Sequence, residues 1–157
     1  MKLIGKATIN PLLFYSGKCS GYFTWIILLL SLVEINIFKP NEYGYSISFA
    51  IIIMTLGWVI ASLSLLDLGP STRLGLPSEE TDFIETGLYR YSRNPMYLGF
   101  NLITVASIIG TMNIIIMILG LYSILIYHYI IISEERFLEE RFGNNYVEYK
   151  KRVRRYV

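Results

Sequence analysis

The chain has 157 residues, 54% of them hydrophobic and 17% charged, with the apolar residues gathered into long runs, so it has room for one domain and lacks the composition of a water-soluble one. Its formal net charge is only +2, so positive charge matters through where it lies rather than through its sum. The single cysteine, Cys19, excludes an intrachain disulfide and a multi-cysteine metal site.

In chain order, residues 1–21 carry three lysines and a Pro-Leu-Leu-Phe-Tyr patch too short to cross a bilayer, which reads as an interfacial lead-in. A signal peptide is the rival reading, but no small-residue cleavage site follows the apolar run. Apolar runs then fall at 22–38, 45–66, 96–109 and 112–132, the third of them short, against the ~20 residues needed to cross a hydrocarbon core. The stretch 96–132 is too long for one span, and Gly110-Thr-Met-Asn113 is its only turn chemistry, so a tight antiparallel helical hairpin is expected there. Asn94-Pro95 sets the start of that hairpin, proline being favoured at a first helical position. The expected fold is an all-α integral membrane protein of about four transmembrane helices. It is one domain: a lead-in at 1–21, two spans in 22–66, a polar loop at 67–95, the hairpin at 96–132 and a polar C-terminal segment at 133–157.

With four spans, Lys2, Lys6, Lys18, Arg73, Arg90, Arg93 and all seven Lys and Arg residues after 132 share one face, leaving Lys39 alone on the other. The positive-inside rule makes that face cytoplasmic, with both termini, in what is expected to be the cell membrane. The basic run 150–155 suits anionic headgroups.

Two polar clusters bracket the hairpin. Before it, residues 86–99 read TGLYRYSRNPMYLG; after it come Glu134-Glu135, Phe142-Gly143 and Tyr146-x-x-Tyr149-Lys150. Together they resemble the isoprenylcysteine carboxyl methyltransferase and phospholipid methyltransferase group of membrane enzymes, whose pattern is T-x-G-x-Y-x-x-x-R-H-P-x-Y-x-G, a helical hairpin, then E-E-x-x-L-x-x-x-F-G-x-x-Y-x-x-Y. The chain departs from it at Asn94, where the group has histidine, and its threonine stands one place later, at Thr86; residues 68–75 also look like its upstream segment. The resemblance covers residues 66–153 and implies methyl transfer from S-adenosylmethionine, bound in a cytoplasmic pocket, to a lipophilic or prenylated substrate, with no metal and no nucleic acid.

Holding such a cofactor calls for a cation for its carboxylate, an acid for its amino group and aromatic faces for the ring and sulfonium. Arg93, Glu134, Tyr89 and Tyr97 are of those types, and Tyr89, Arg93 and Tyr97 follow one another at intervals of four, one face of any helical stretch. The resemblance implies cofactor contacts at Thr81, Asp82, Phe83, Ile84, Tyr89, Asn94, Pro95, Met96, Tyr97 and Glu134, with Arg93, Asn94 and Glu134 as the catalytic set. Asn94 keeps hydrogen-bonding capacity but not the charge of an imidazolium. The prenylcysteine-methylating members carry an arginine one turn before the glutamate pair, where this chain has Ile130.

His128 lies inside the last apolar run on one face with Glu135, and Asn101 lies inside the third; both are candidates for the substrate side, since intramembrane polar groups are costly. Two other readings stay open: an NADPH-dependent enzyme like the sterol reductases, which share the arginine, proline and tyrosine motif, and a non-catalytic membrane scaffold or lipid-binding protein.

Overall fold

The computed structural model describes residues 9–33, 35, 44–69 and 83–157, with backbone alone at 44–46. The described residues form five α-helices and one short 3-10 turn: α1 (Pro11–Leu32), α2 (Gly44–Leu68), the turn Gly87–Arg90, α3 (Pro95–Thr111), α4 (Ile114–Phe142) and α5 (Asn144–Arg152). The all-α expectation holds.

The first helix begins well before the expected span at 22. Asn10 accepts the Leu12 N–H at 2.9 Å and Pro11 takes the first helical position, where its missing N–H costs nothing, so residues 11–21 of the supposed lead-in are helical. The expected end at 38 lies outside the described residues, as do Glu34 and Lys39. Helices α1, α2 and α4 are long and apolar enough to cross a bilayer. The 17-residue α3 reaches roughly 25 Å, short of a ~30 Å hydrocarbon core.

The α3–α4 turn forms where expected and is tight. Met112 takes a left-handed conformation (φ 45°), and the Asn113 side chain caps α4 by accepting from Ile115 and Ile116 N–H at 2.9 and 3.3 Å. Beyond the turn, however, each hairpin helix has a larger partner elsewhere: α3 packs most extensively on α2, and α4 on α1. Gly57 and Gly99 explain the first pairing, because a Cβ on either would come within 2.8 Å of the other's carbonyl oxygen. The second is held by Ser20 Oγ donating to the Leu119 carbonyl at 2.8 Å and by the Ser16 and Tyr122 hydroxyls 2.7 Å apart. Trp25 crosses between the pairs, donating its indole N–H to Thr104 Oγ1 at 2.9 Å. A core of Phe14, Tyr97, Ile126, Tyr127, Ile130 and Ile131 joins α1, α3 and α4 just below the polar end of α4.

Candidate functional site

The site is built where α2 ends, α3 begins and α4 leaves its apolar stretch. Gly87 sits at φ 59° directly against the Asp67 carboxylate, a conformation and a closeness that exclude a side chain, and Leu88 N–H donates to Asp67 at 2.7 Å. This contact fixes the 3-10 turn to the end of α2 and sets Tyr89 inward, 9% exposed. The C-terminal segment then comes back onto the same motif. Tyr149 OH donates to the Tyr89 carbonyl at 2.6 Å, and Arg93 N–H donates to the Arg154 carbonyl at 2.9 Å in a parallel bridge between Ser92 and Arg154. Burial pushes the phenols of Tyr89, Tyr146 and Tyr149 above their ordinary range, so all three stay neutral at physiological pH.

Glu135 is the hub of this corner. Its carboxylate takes Arg93 Nε and Nη2 at 3.1 Å each, Asn94 Nδ2 at 2.9 Å, and Arg155 Nε and Nη2 at 3.1 and 3.0 Å. The remaining Arg93 nitrogen donates to the Val153 and Lys150 carbonyls at 2.7 and 3.4 Å, and Asn94 Nδ2 also reaches the Arg155 carbonyl at 3.2 Å. The Arg93 and Glu135 side chains are 9% and 5% exposed. Arg93, expected from the sequence to face a ligand carboxylate, spends every nitrogen of its guanidinium within the protein. Asn94 does likewise with its amide N–H groups, joining the motif to both α4 and the tail.

Glu134 is next in sequence and faces elsewhere, since consecutive helical residues point about 100° apart. One of its oxygens accepts from Tyr97 OH at 2.9 Å. The Tyr89 phenol and the Lys18 ammonium both lie within electrostatic reach of it. Two adjacent carboxylates thus have separate surroundings: one saturated by five donor contacts, the other with a single hydroxyl.

The remaining expected residues divide. Phe83 joins an aromatic cluster with Phe142, Tyr146 and Tyr149, Ile84 is half-buried beside it, Pro95 opens α3, and Met96 packs on the core around Tyr97. Thr81 and Asp82 lie outside the described residues. His128 Nδ1 is 2.6 Å from Tyr156 OH, with the two rings stacked, so His128 and Glu135 do share a face, and consecutive tail residues cover it. Asn101 stands apart in α3 with its Oδ1 buried and without a hydrogen bond.

Asp67, Lys18 and Arg155 were not expected at the site. Arg155 was read as one of the basic run meant for headgroups, yet it is bound to Glu135; Lys150, Lys151 and Arg152 pair with Glu139, Glu148 and Glu85 at 2.7, 2.7 and 3.0 Å. Those three pairs are substantially exposed and hold little energy, so their charges remain open to an anionic surface.

A phospholipid methyltransferase family model matches residues 45–145, more than half of the chain. The chain belongs to the phospholipid methyltransferase family. It is also 30% identical over 134 residues to the protein-S-isoprenylcysteine O-methyltransferase of Dictyostelium discoideum, a match covering 80% of this chain and 56% of that protein. The chain therefore spans little more than half the length of this relative. Within the family match lie α2, α3 and α4, and with them Asp67, the motif from Gly87 to Tyr97, and both glutamates. The helix α1 and the tail that closes on the motif lie outside the matched residues.

Proposed function

We propose that this chain transfers a methyl group from S-adenosylmethionine to a lipophilic acceptor taken from the bilayer. The observation that carries the reading is Glu134. It is a carboxylate at the membrane border, flanked by two tyrosines, with one hydrogen bond and acceptor capacity to spare, while its neighbour is fully engaged. That acceptor fits the ammonium of the cofactor's amino acid end. Glu134 would take the ammonium, Tyr89 and Tyr97 would line the sulfonium side, and Phe83 with Ile84, together with Thr81 and Asp82, would meet the remainder. Pro95 and Met96 would form the adjoining wall. Arg93 and Asn94 act in this scheme as positioning residues, holding Glu135 and the tail so that α3 and α4 keep Glu134 and Tyr97 in register. Bound there, the cofactor supplies an activated methyl group; the protein supplies alignment and a site partly closed to water.

Asn94 in place of histidine is compatible with this reading, because its amide donates to Glu135 and keeps the corner joined. Arg93 and Arg155 are committed to Glu135 and so are not available to the phosphates of NADPH. In the proposed orientation both termini and the motif are cytoplasmic. Cysteines placed at Met112 and Val157 in a Cys19→Ser background should label from opposite sides of sealed vesicles, and labelling from one side breaks the orientation. The function itself is tested by calorimetry with S-adenosylhomocysteine and NADPH and by transfer of a labelled methyl group into a membrane lipid extract. Binding of the first with labelled lipid product is expected; NADPH binding alone, or neither, overturns the proposal.

A further inference from the structure

We propose that Arg90 and Arg154, with Tyr91 beside them, form a surface that meets the anionic phospholipid headgroups of the adjacent leaflet, and that this contact holds the tail closed on the motif. The surface goes beyond the methyltransferase reading and can be tested without it.

The two arginines come from distant segments and are brought together by backbone contacts. The parallel bridge between Ser92 and Arg154, with Arg93 N–H donating to the Arg154 carbonyl at 2.9 Å, lays the tail along the motif just beyond Arg90. Both arginines are exposed, and among the described residues neither has an ion pair, whereas Lys150, Lys151, Arg152 and Arg155 each have one. Docking of the tail therefore gathers two unneutralised cations at one seam, and their repulsion opposes it. Tyr91 follows Arg90 and is 75% exposed; tyrosine and arginine side by side suit a membrane border.

The seam also stands at the height of the headgroups. The hydrogen bond from Tyr97 to Glu134 sets the start of α3 level with the point where α4 leaves its apolar run. Ser92 precedes Pro95, the first residue of α3, by three positions, so it lies within roughly 11 Å of that level. The potential of an anionic leaflet extends about 10 Å into solution, and an arginine side chain is long enough to make up the difference. Negative charge there relieves the repulsion at the seam, so it favours the docked tail over the released one. The corner inherits that bias, because the docked tail carries Arg155 to Glu135 and Tyr156 to His128.

The test follows hydrogen exchange at Arg93 N–H, whose acceptor is a tail carbonyl and which is therefore protected while the tail is docked. The full chain is measured in nanodiscs of phosphatidylcholine alone and in nanodiscs that also contain phosphatidylglycerol. Phosphatidylglycerol should slow exchange by about fivefold or more, the worth of one cation at an anionic surface. Combining Arg90→Gln with Arg154→Gln should abolish the slowing, with exchange in phosphatidylcholine no faster than in wild type. Combining Arg90→Lys with Arg154→Lys should keep it, since charge is what the leaflet reads. Arg136→Gln removes an equal exposed charge from α4, off the seam, and should leave the slowing intact. Wild-type exchange that is unchanged or faster with phosphatidylglycerol overturns the proposal, and so does a slowing lost as fully in Arg136→Gln, which would be bulk attraction. Glycerol phosphate added to phosphatidylcholine discs should do nothing; if it slows exchange, the seam is a site for soluble anions and the membrane assignment fails. Titration of the same discs with S-adenosylhomocysteine separates the two readings. Slowing without any binding of that ligand leaves the surface standing and removes the methyltransferase reading, and binding without slowing does the reverse.

Discussion

Glu134 and Glu135 are adjacent in the chain, and α4 sends them into opposite situations. Glu135 gathers two arginines and an amide from two separate segments and is 5% exposed, whereas Glu134 meets one tyrosine hydroxyl and two more distant groups. The difference teaches how a pair of like residues divides labour: a saturated carboxylate fixes the geometry of the corner, and an unsaturated one beside it is left for a ligand. Substitutions that act on stability through one glutamate and on binding through the other make that division measurable.

The largest effect is expected at Glu135. Glu135→Ala strands the Arg93 guanidinium, 9% exposed, together with half of Arg155 and the Asn94 amide, and removing one partner of a buried ionic cluster costs about 3–5 kcal/mol. Denaturation in detergent should record a loss of that size, with the tail after 152 opened to proteolysis. A change below about 1 kcal/mol would mean that the cluster contributes nothing to holding the tail.

Glu134→Gln should show the reverse profile. The amide oxygen still accepts from Tyr97, so stability should move by less than about 1 kcal/mol, while S-adenosylhomocysteine binding weakens by about 1.5–3 kcal/mol with the loss of a charged hydrogen bond to the ammonium. Unchanged affinity by calorimetry would remove Glu134 from the proposed cofactor site. If the loss falls instead on stability, the two glutamates do not divide labour in the way proposed.

Asn94 tests the joint between the two regions with a smaller effect. Asn94→Leu leaves one Glu135 oxygen with fewer donors and the Arg155 carbonyl with the Ser92 hydroxyl alone, a cost of about 1–3 kcal/mol in a buried setting. Asn94→His keeps one N–H for Glu135 and should lie within about 1 kcal/mol of wild type. Equal stability for all three proteins would show that the Asn94 contacts carry no weight.

Much of the frame was legible because local chemistry marks it. The hairpin turn is written in Gly110 to Asn113, and the start of α3 in Asn94-Pro95. The start of α1 was missed because Lys18 interrupts the apolar run, and hydropathy cannot see that this lysine faces the bundle; Asn10-Pro11 was the local signal that was there to use. At the site, the segments named from the motif come together in the structure, with one pairing different from the expected one. The expectation set Arg93 and Glu134 as the two ends of a ligand grip, whereas Arg93 turns to Glu135, a choice fixed by the 100° step between adjacent helical residues and by a tail returning from twenty residues beyond Glu135. Nothing local in a basic C-terminal run distinguishes an arginine that meets headgroups from one that closes a buried cluster.

The smallest effect belongs to the far edge of the saturated region, where the tail ends against α4. Tyr156 OH lies 2.6 Å from His128 Nδ1, and the rings stack at 6.2 Å between centres. Tyr156→Phe keeps the stacking and removes the hydroxyl, so the net loss should be about 1 kcal/mol, the ordinary worth of one hydrogen bond. Tyr156→Ala removes both and should cost more, with the difference reporting the ring contact. Because Arg155 is the neighbouring residue, the same variants show whether the Glu135 cluster and the His128 contact hold the tail as one unit. In a Glu135→Ala background the Tyr156→Phe loss should shrink toward zero, since a released tail no longer presents Tyr156 to His128. Additive losses in the double-mutant cycle would instead make the two contacts independent, and the saturated region would then end at Arg155.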